Sequence, residues 1–309
     1  MTRGNGFSTD TSADRTADGR ADGPAGRAGS ATLRSPKPAA GSGLQAGARG
    51  GSVEAVVEVA GQAPQQVRWL IAEEVPVALL YNGRSKMVMM TSPADLEDFA
   101  VGITITEGIV PGIDEIEGIE IAAKSIGYEI DLTVPRERMA RRRLRERGIT
   151  GGTGCGLCGV ETLAEAVRDP QRVARPMQVA KAAVSAALRE LPGWQPMNAD
   201  NRSTHAAAWC TPEGAIVTAR EDVGRHNALD KLIGALLRAG RDPADGFVVM
   251  SSRCSFELVQ KVAAVGIPYL ATISAPTALA LSLAEASGIR LAARAPNGIV
   301  EFDPETARH

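Results

Sequence analysis

Two of the chain's four cysteines, Cys155 and Cys158, sit in the run Gly154-Cys155-Gly156-Leu157-Cys158-Gly159. Val160, Leu163, Ala164 and Val167 follow at helical spacing and predict a helix over 159–168, so the pair lies on a glycine-rich loop feeding a helix N-terminus. The first amides of a helix lack intrahelical partners, and the dipole is positive there, so a thiolate is favoured over a thiol. The thiolate is the nucleophilic form of cysteine, and the placement therefore points to sulfur chemistry. Three other uses of such a pair fit less well. A structural zinc site needs four ligands, and Cys210, Cys254, His205, His226 and His309 supply no second closely spaced pair. A thioredoxin-type site lacks its strand order and its Trp and Pro neighbours. A purely structural pair would sit in apolar surroundings rather than a Gly-Gly-Thr-Gly loop.

Four further clusters carry polar chemistry. Arg202-Ser203-Thr204-His205 precedes a strand, where its hydroxyls and imidazole could bind a ligand or organise a turn. Glu221-Asp222-Val223-Gly224-Arg225-His226-Asn227 opens a helix, with Asp230 and Lys231 a turn later. Gly224 leaves room for a ligand against the free amides, which suit phosphate, and Arg225 and Lys231 add positive charge. His226 and Asn227 can donate to oxyanions or base edges, while helix capping by Asp222 is the plainer alternative for the aspartate. Ser251-Ser252-Arg253-Cys254-Ser255-Phe256-Glu257 and Ser274-Ala275-Pro276-Thr277 each follow a buried strand, the place where ligands bind in doubly wound sheets, with Pro276 suited to a helix start. Two such loops on one sheet edge, with Arg253 between them, read as a nucleotide or phosphate cradle.

The elements that must position these groups are legible in outline. Short strands span Ser52 to Leu80, and Asn82-Gly83 is a hairpin turn returning through Met87-Val88-Met89-Met90. Ser92-Pro93-Ala94-Asp95 predicts a helix start with Ser92 as N-cap, its inner face carried by Leu96, Phe99 and Ala100. Residues 116–134 predict another hairpin. The stretch Arg136 to Arg147 holds seven arginines in twelve residues, read as a solvated helix face paired with Glu137 and Glu146, or as a docking surface for an anionic partner. Beyond the cysteine loop the pattern predicts a helix over 177–190 and a strand pair at 206–211 and 215–220. Helices near 225–238, 255–265 and 276–287 then alternate with strands at 247–250, 269–273 and 289–292. That alternation implies a mixed sheet covered on both faces. There is no internal repeat.

Composition bounds the rest. Residues 1–50 hold ten of the 33 glycines and few large apolar side chains, and such a segment is expected to be a disordered tail. It has neither the apolar core of a secretory signal nor, given Asp10, Asp14, Asp18 and Asp22, the character of a transit peptide. The expected division is the tail at 1–50, a β-rich lobe at 51–150, and an α/β cofactor-binding lobe with the cysteine loop at 151–309. No apolar run is long enough to cross a bilayer. A formal charge of −2 with 4% aromatic residues argues against nucleic acid and anionic membrane as partners. Four cysteines in 309 residues do not form a disulfide framework, which points to the reducing cytoplasm.

In this order the motifs resemble a known family, the formate dehydrogenase accessory sulfurtransferases of FdhD type, from about residue 67 to 303. The marks are Asn82-Gly83, Gly102 with Glu107-Gly108, the Gly-Cys-Gly-Leu-Cys-Gly loop, Thr204-His205-Ala206-Ala207, the run Asp222 to Lys231, Ser251 with Arg253, and Ser274-Ala275-Pro276-Thr277. The resemblance implies a fold similar to the cytidine deaminase-like three-layer α/β/α arrangement, as a homodimer. It also implies a sulfur relay. A cysteine desulfurase gives up a sulfane sulfur, a loop cysteine carries it as a persulfide, and the metal of Mo-bis(molybdopterin guanine dinucleotide) receives it for formate dehydrogenase. Cys155 maps to the carrier and Cys158 to a helper or alternative acceptor. The cofactor contacts implied are His205, Arg225, His226, Asn227, Lys231, Ser251, Arg253, Ser274 and the segment Ala292-Ala293-Arg294-Ala295-Pro296-Asn297. The family's usual aromatic is replaced by Ala292, which leaves Arg294 as the persuasive residue of that segment, and the pattern does not demand a thiol at Cys254. No protein-held metal is implied. The physics agrees: a persulfide ionises more readily than a thiol, so a carrier needs a mobile, anion-friendly loop more than a deep pocket.

Two rivals make different demands. A zinc-dependent deaminase needs His-x-Glu and then Pro-Cys-x-x-Cys, but Gly154 precedes Cys155 and no His-x-Glu occurs. A cofactor-sheltering chaperone without sulfur chemistry would still work as Cys155→Ala.

Overall fold

The computed structural model describes residues 50–143 and 171–302, beginning with an antiparallel ribbon of β1 (Ser52–Val57) and β2 (Gln65–Leu70). β3 (Val75–Tyr81) and β4 (Arg84–Thr91) then form the expected hairpin. Its turn has φ 51° at Asn82 and 74° at Gly83, the left-handed pair that Asn-Gly adopts at least cost. The Asn82 side chain donates to Val134 O (2.9 Å) and accepts from Val134 N (3.0 Å), which ties the turn to the far end of β6. With β5 (Gly118–Lys124) and β6 (Gly127–Thr133) these strands make a four-stranded sheet ordered β4-β3-β6-β5, in which β3 and β6 are parallel. Val77, Leu79, Tyr81, Ile130 and Leu132 form one apolar layer against Phe99, Ala100 and Ile103 of helix α1 (Leu96–Thr106).

Helix α1 starts later than Ser92 and Pro93 predict. Asp95 is left-handed (φ 54°), which breaks any helix through 92–95, and Ser92 is committed elsewhere: its amide donates to Asp222. Helix α2 (Arg136–Arg143) covers the described part of the arginine stretch, where Arg138 pairs with Glu115. Glu137, one of the two expected partners, adds a favourable charge beside Arg138, whose ion-pair partner is Glu115. The predicted disordered tail, the cysteine loop, the helix over 159–168, Glu146 and the lobe boundary at 150 lie outside the described residues.

The C-terminal part contains α3 (Lys181–Glu190), starting four residues after the predicted 177, a 3-10 turn at Leu191–Trp194, and α4 (Pro196–Asn201), which the sequence pattern did not announce. Then come β7 (His205–Cys210), β8 (Ile216–Asp222), α5 (Arg225–Arg238), β9 (Phe247–Cys254), α6 (Phe256–Ala264), β10 (Tyr269–Pro276), α7 (Ala278–Ser287), β11 (Arg290–Ala295) and β12 (Gly298–Phe302). Six strands form one mixed sheet ordered β12-β11-β10-β9-β7-β8, with β9, β10 and β11 parallel. Alternation along the strands sends Ala207, Trp209, Val248, Met250, Leu270 and Leu291 to the face covered by α5, α6 and α7. Ala206, Ala208, Phe247, Val249, Tyr269 and Ala271 face α3. The expected three-layer α/β/α arrangement is therefore present. Strands β9 and β10 run four and three residues beyond their predicted ends, so Ser251 to Cys254 and Ser274 to Pro276 are strand rather than loop. Thr277, not Pro276, opens α7, accepting from Ala280 N (3.3 Å).

The two sheets communicate through α1 and α5, which cross backbone to backbone. A Cβ at Gly102 would lie 1.8 Å from Asp230 O, and one at Gly234 would lie 1.8 Å from Asp98 O. Only glycine at both positions permits that approach. Asp98, beside the crossing, pairs with Arg220 and Arg238.

Candidate functional site

The site is built on Asp222, the last residue of β8 and wholly buried. Its Oδ2 accepts from Ser92 N (2.9 Å), from the Thr91 hydroxyl and from Lys231 Nζ (2.6 Å). Its Oδ1 accepts from Gly224 N (2.8 Å) and Asn227 Nδ2 (3.0 Å). Val223 N donates in turn to Ser92 Oγ (3.2 Å), and Lys231 Nζ donates to Ser92 O (2.9 Å). The carboxylate thus clamps the segment after β4 to the loop before α5. It does not cap the helix amides, as the sequence had left open.

This changes two assignments. Lys231, expected on the cofactor, has no exposed surface and spends its charge on Asp222 and two buried carbonyls. Asn227, also expected there, donates to Met90 O (2.8 Å) and Asp222 and is 3% exposed. A solvated phosphate cannot reach either side-chain nitrogen. Both residues shape the loop from behind.

Glu221 does the same on the other face. It accepts from Met197 N and Asn198 N (both 2.8 Å) and from Thr204 Oγ1 (3.1 Å), placing a carboxylate at the N-terminus of α4. Burial pushes its pKa up despite those donors. The supporting roles of Glu221, Thr91 and Ser92 were not apparent in the sequence. An acidic dipeptide ending a buried strand was the available signal.

The exposed side of this scaffold gathers the remaining groups. His205 begins β7 opposite Asp222, with the Ser251 main chain beside its ring. Burial, then the neighbouring Arg225 guanidinium, push its pKa down, so the ring is neutral near pH 7. Ser251 Oγ accepts from Ala206 N (2.7 Å), locking β9 to β7. Arg225 is the first residue of α5, and its Nε is buried with no hydrogen-bond partner among the described residues. His226 follows, with Ser255 Oγ 3.4 Å and Glu257 Oε2 3.7 Å from its Nε2. Arg253 and Ser274 are register neighbours on β9 and β10, both exposed. One sheet edge therefore carries two imidazoles, two guanidiniums, serine hydroxyls and the start of a helix, a set suited to a polyanion.

The last predicted segment divides. Ala292 and Ala293 are core, 1% and 3% exposed, so the sheet interior rather than a ligand holds them. Pro296-Asn297 forms the turn between β11 and β12. Arg294, Ala295 and Pro296 line a cleft of about 170 Å³ with Ser185, Leu188 and Arg189 of α3, where a second anionic group could rest.

The cysteines also divide. Cys210 is 0% and Cys254 1% exposed, and burial pushes the Cys210 thiol up and the Cys254 thiol to about 12. Neither forms a useful thiolate near neutrality. Cys254 is thus core packing. Cys155 and Cys158 lie outside the described residues.

Comparison with known proteins is consistent across three kinds of match. The FdhD/NarQ family matches residues 72–301. A sulfur carrier protein FdhD from Bordetella petrii is 49% identical over 233 residues, covering 75% of this chain and 83% of the relative. One of the same description from Cupriavidus necator is 45% identical over 241 residues, covering 77% and 84%. Among solved structures, a candidate formate dehydrogenase accessory protein from Desulfotalea psychrophila superposes with a TM-score of 0.63 at 25% identity, over 82% of this chain and 96% of that one.

Proposed function

Because the chain belongs to the FdhD/NarQ family, we propose that it is a sulfur carrier that serves formate dehydrogenase. In this reading a cysteine desulfurase transfers sulfane sulfur to Cys155, forming a persulfide with Cys158 as helper. The carrier then gives the outer sulfur to the metal of Mo-bis(molybdopterin guanine dinucleotide), which is its substrate. The protein acts as a sulfurtransferase in the cytoplasm, as a homodimer. Among the described residues no helix is long and apolar enough to cross a membrane.

The observation that carries this reading is the edge formed by His205, Arg225, His226, Ser251, Arg253 and Ser274, with the buried, unpartnered Nε of Arg225 awaiting an acceptor. A buried donor without a partner costs on the order of 1–3 kcal/mol, which a bound oxyanion would recover. The substrate offers four phosphates and two guanines, and Arg225, Arg253 and Ser274 match oxygen acceptors. The neutral His205 can serve a base edge. Burial of the other two thiols leaves Cys155 and Cys158 as the nucleophiles of the chain.

The test is intact mass after incubation with a cysteine desulfurase and cysteine. Gain of one sulfur, lost on reduction and absent in Cys155→Ala, supports the carrier. A Cys155→Ala protein that still matures formate dehydrogenase would instead support the chaperone reading.

A further inference from the structure

The ribbon of β1 and β2 belongs to neither large sheet, and among the described residues its strands pair only with each other. Its two faces differ. Val53, Ala55 and Val57 share one face with Val67 and Trp69, whereas Glu54, Arg68 and the hydrogen-bonded pair Arg68 Nε to Ser52 Oγ (2.6 Å) mark the other. On the apolar face Val53 is 49%, Val57 36% and Trp69 38% exposed. Two strands alone are marginally stable in water, so a face of this kind needs a cover. Residues 1–49, which lead into β1, carry too few large apolar side chains to supply it.

The open edge of β1 selects the cover. Ile71 N donates to Gly51 O (2.9 Å) in register with the ribbon, so Val53, Ala55 and Val57 bond to β2. The N–H and C=O groups of Ser52, Glu54 and Val56 therefore point to the open side. Edge strands are commonly guarded by Lys, Pro or a bulge, and β1, Ser-Val-Glu-Ala-Val-Val in unbroken register, has none of these. The edge of β2, by contrast, carries Arg68 and follows Pro64. A second β1 running antiparallel fits the open edge in one register. With a two-fold axis at Ala55, Val53 faces Val57 of the second copy, the small Ala55 meets its own counterpart, and Glu54 faces Val56. An axis at Glu54 would oppose two glutamates, and an axis at Val56 would set Glu54 against Glu58. Like charges directly opposite are destabilising, which leaves the register centred on Ala55.

We propose that β1 docks on β1 of a second copy of this chain, joining the two ribbons into a four-stranded antiparallel sheet around a two-fold axis at Ala55. The inference rests on the homodimer reading and names a surface that holds the copies together. Val53, Val57 and Trp69 of both copies then line one continuous apolar face, with tryptophan, a residue that often dominates interface energy, on each side. On the opposite face Glu54 keeps Arg68 of its own ribbon as its cross-strand neighbour, so charge is balanced within each copy.

The experiment uses the full chain with Cys155 and Cys158 replaced by alanine, so that an introduced cysteine is the accessible thiol while Cys210 and Cys254 stay buried. Ala55→Cys and Glu54→Cys are compared under mild oxidation on a non-reducing gel. Opposed residues in a pair without mutual hydrogen bonds have Cα atoms about 4.5 Å apart, within disulfide reach, so Ala55→Cys is expected to form a covalent dimer. Two copies of Glu54 are offset by two residues, about 8 Å between Cα atoms, so Glu54→Cys is expected to cross-link at least about tenfold more slowly. In the otherwise native chain, Val56→Pro removes only an open-edge N–H, and sedimentation equilibrium is expected to show self-association weakened at least about tenfold. Sulfur uptake by Cys155, read by intact mass, is expected to be unchanged in Val56→Pro. Equal cross-linking at positions 54 and 55, or unchanged self-association in Val56→Pro, overturns the proposal and leaves the homodimer reading standing. Wild type that sediments as a monomer overturns both.

Discussion

Replacing Lys231 by methionine separates a buried strut from a ligand-binding amine. Lys231 Nζ is 2.6 Å from Asp222 Oδ2, with both side chains 0% exposed. Removing one partner of such a pair strands a carboxylate, at a typical cost of about 3–5 kcal/mol. Here Asp222 keeps the Thr91 hydroxyl, Ser92 N, Gly224 N and Asn227 Nδ2 as donors, which places the loss near the lower end of that range. Ser92 O loses its 2.9 Å donor as well. A cost of about 3 kcal/mol lowers the Tm of a domain of this size by roughly 6–12 °C. The assay is thermal unfolding by circular dichroism, paired with guanosine diphosphate titration well below the transition. The expected result is a lowered Tm with affinity within about threefold of wild type, since no ligand contact is removed. A variant with unchanged Tm that has lost the nucleotide would refute the reasoning and return Lys231 to the binding surface. The double variant Asp222→Asn with Lys231→Met should be less destabilised than the sum of the two single variants, because the stranded charge is gone.

Other consequences follow from packing and burial. Gly234→Ala puts a methyl 1.8 Å from Asp98 O, about 1.6 Å short of an ordinary 3.4 Å contact, and the obstacle is backbone. Overpacking of about 1–3 kcal/mol should outweigh the gain of about 1 kcal/mol that alanine brings to a helix, so urea unfolding should show net destabilisation. A stabilised variant would mean that α1 and α5 do not cross this closely. Iodoacetamide on the native protein near pH 7 should alkylate Cys155 and Cys158 and leave Cys210 and Cys254 unmodified until denaturant is added, as peptide mass mapping would show. Native labelling at Cys254 would contradict its burial.

Much of the fold was legible because the governing interactions are local. Asn82-Gly83 selects its turn through the backbone freedom of two residues, and the hairpin forms there. The apolar spacing after Gly224 defined a helix whose ends, Arg225 and Arg238, match the expected ones. Strand alternation with helices implied a covered sheet, and the two apolar layers on its faces are the reason. Helix α4 was missed because the carboxylate at its N-terminus comes from Glu221, 24 residues from Met197 in sequence. Ser92 had every local property of an N-cap, but Asp222, 130 residues away, claims its amide.

For the site, the sequence alone determined which residue types are available: a cysteine pair among glycines and a dense polar run from Glu221 to Lys231. Only the tertiary structure decided which of those face a ligand and which support the loop from within. Lys231 and Asn227 look like phosphate donors in the sequence, yet Asp222 draws both inward. Glu257 looks like an ordinary acidic residue in a first helical turn, yet α6 sets it against His226. The physical reason is that spacing constrains neighbours within a turn or strand, whereas burial and charge pairing depend on segments more than a hundred residues apart meeting in space.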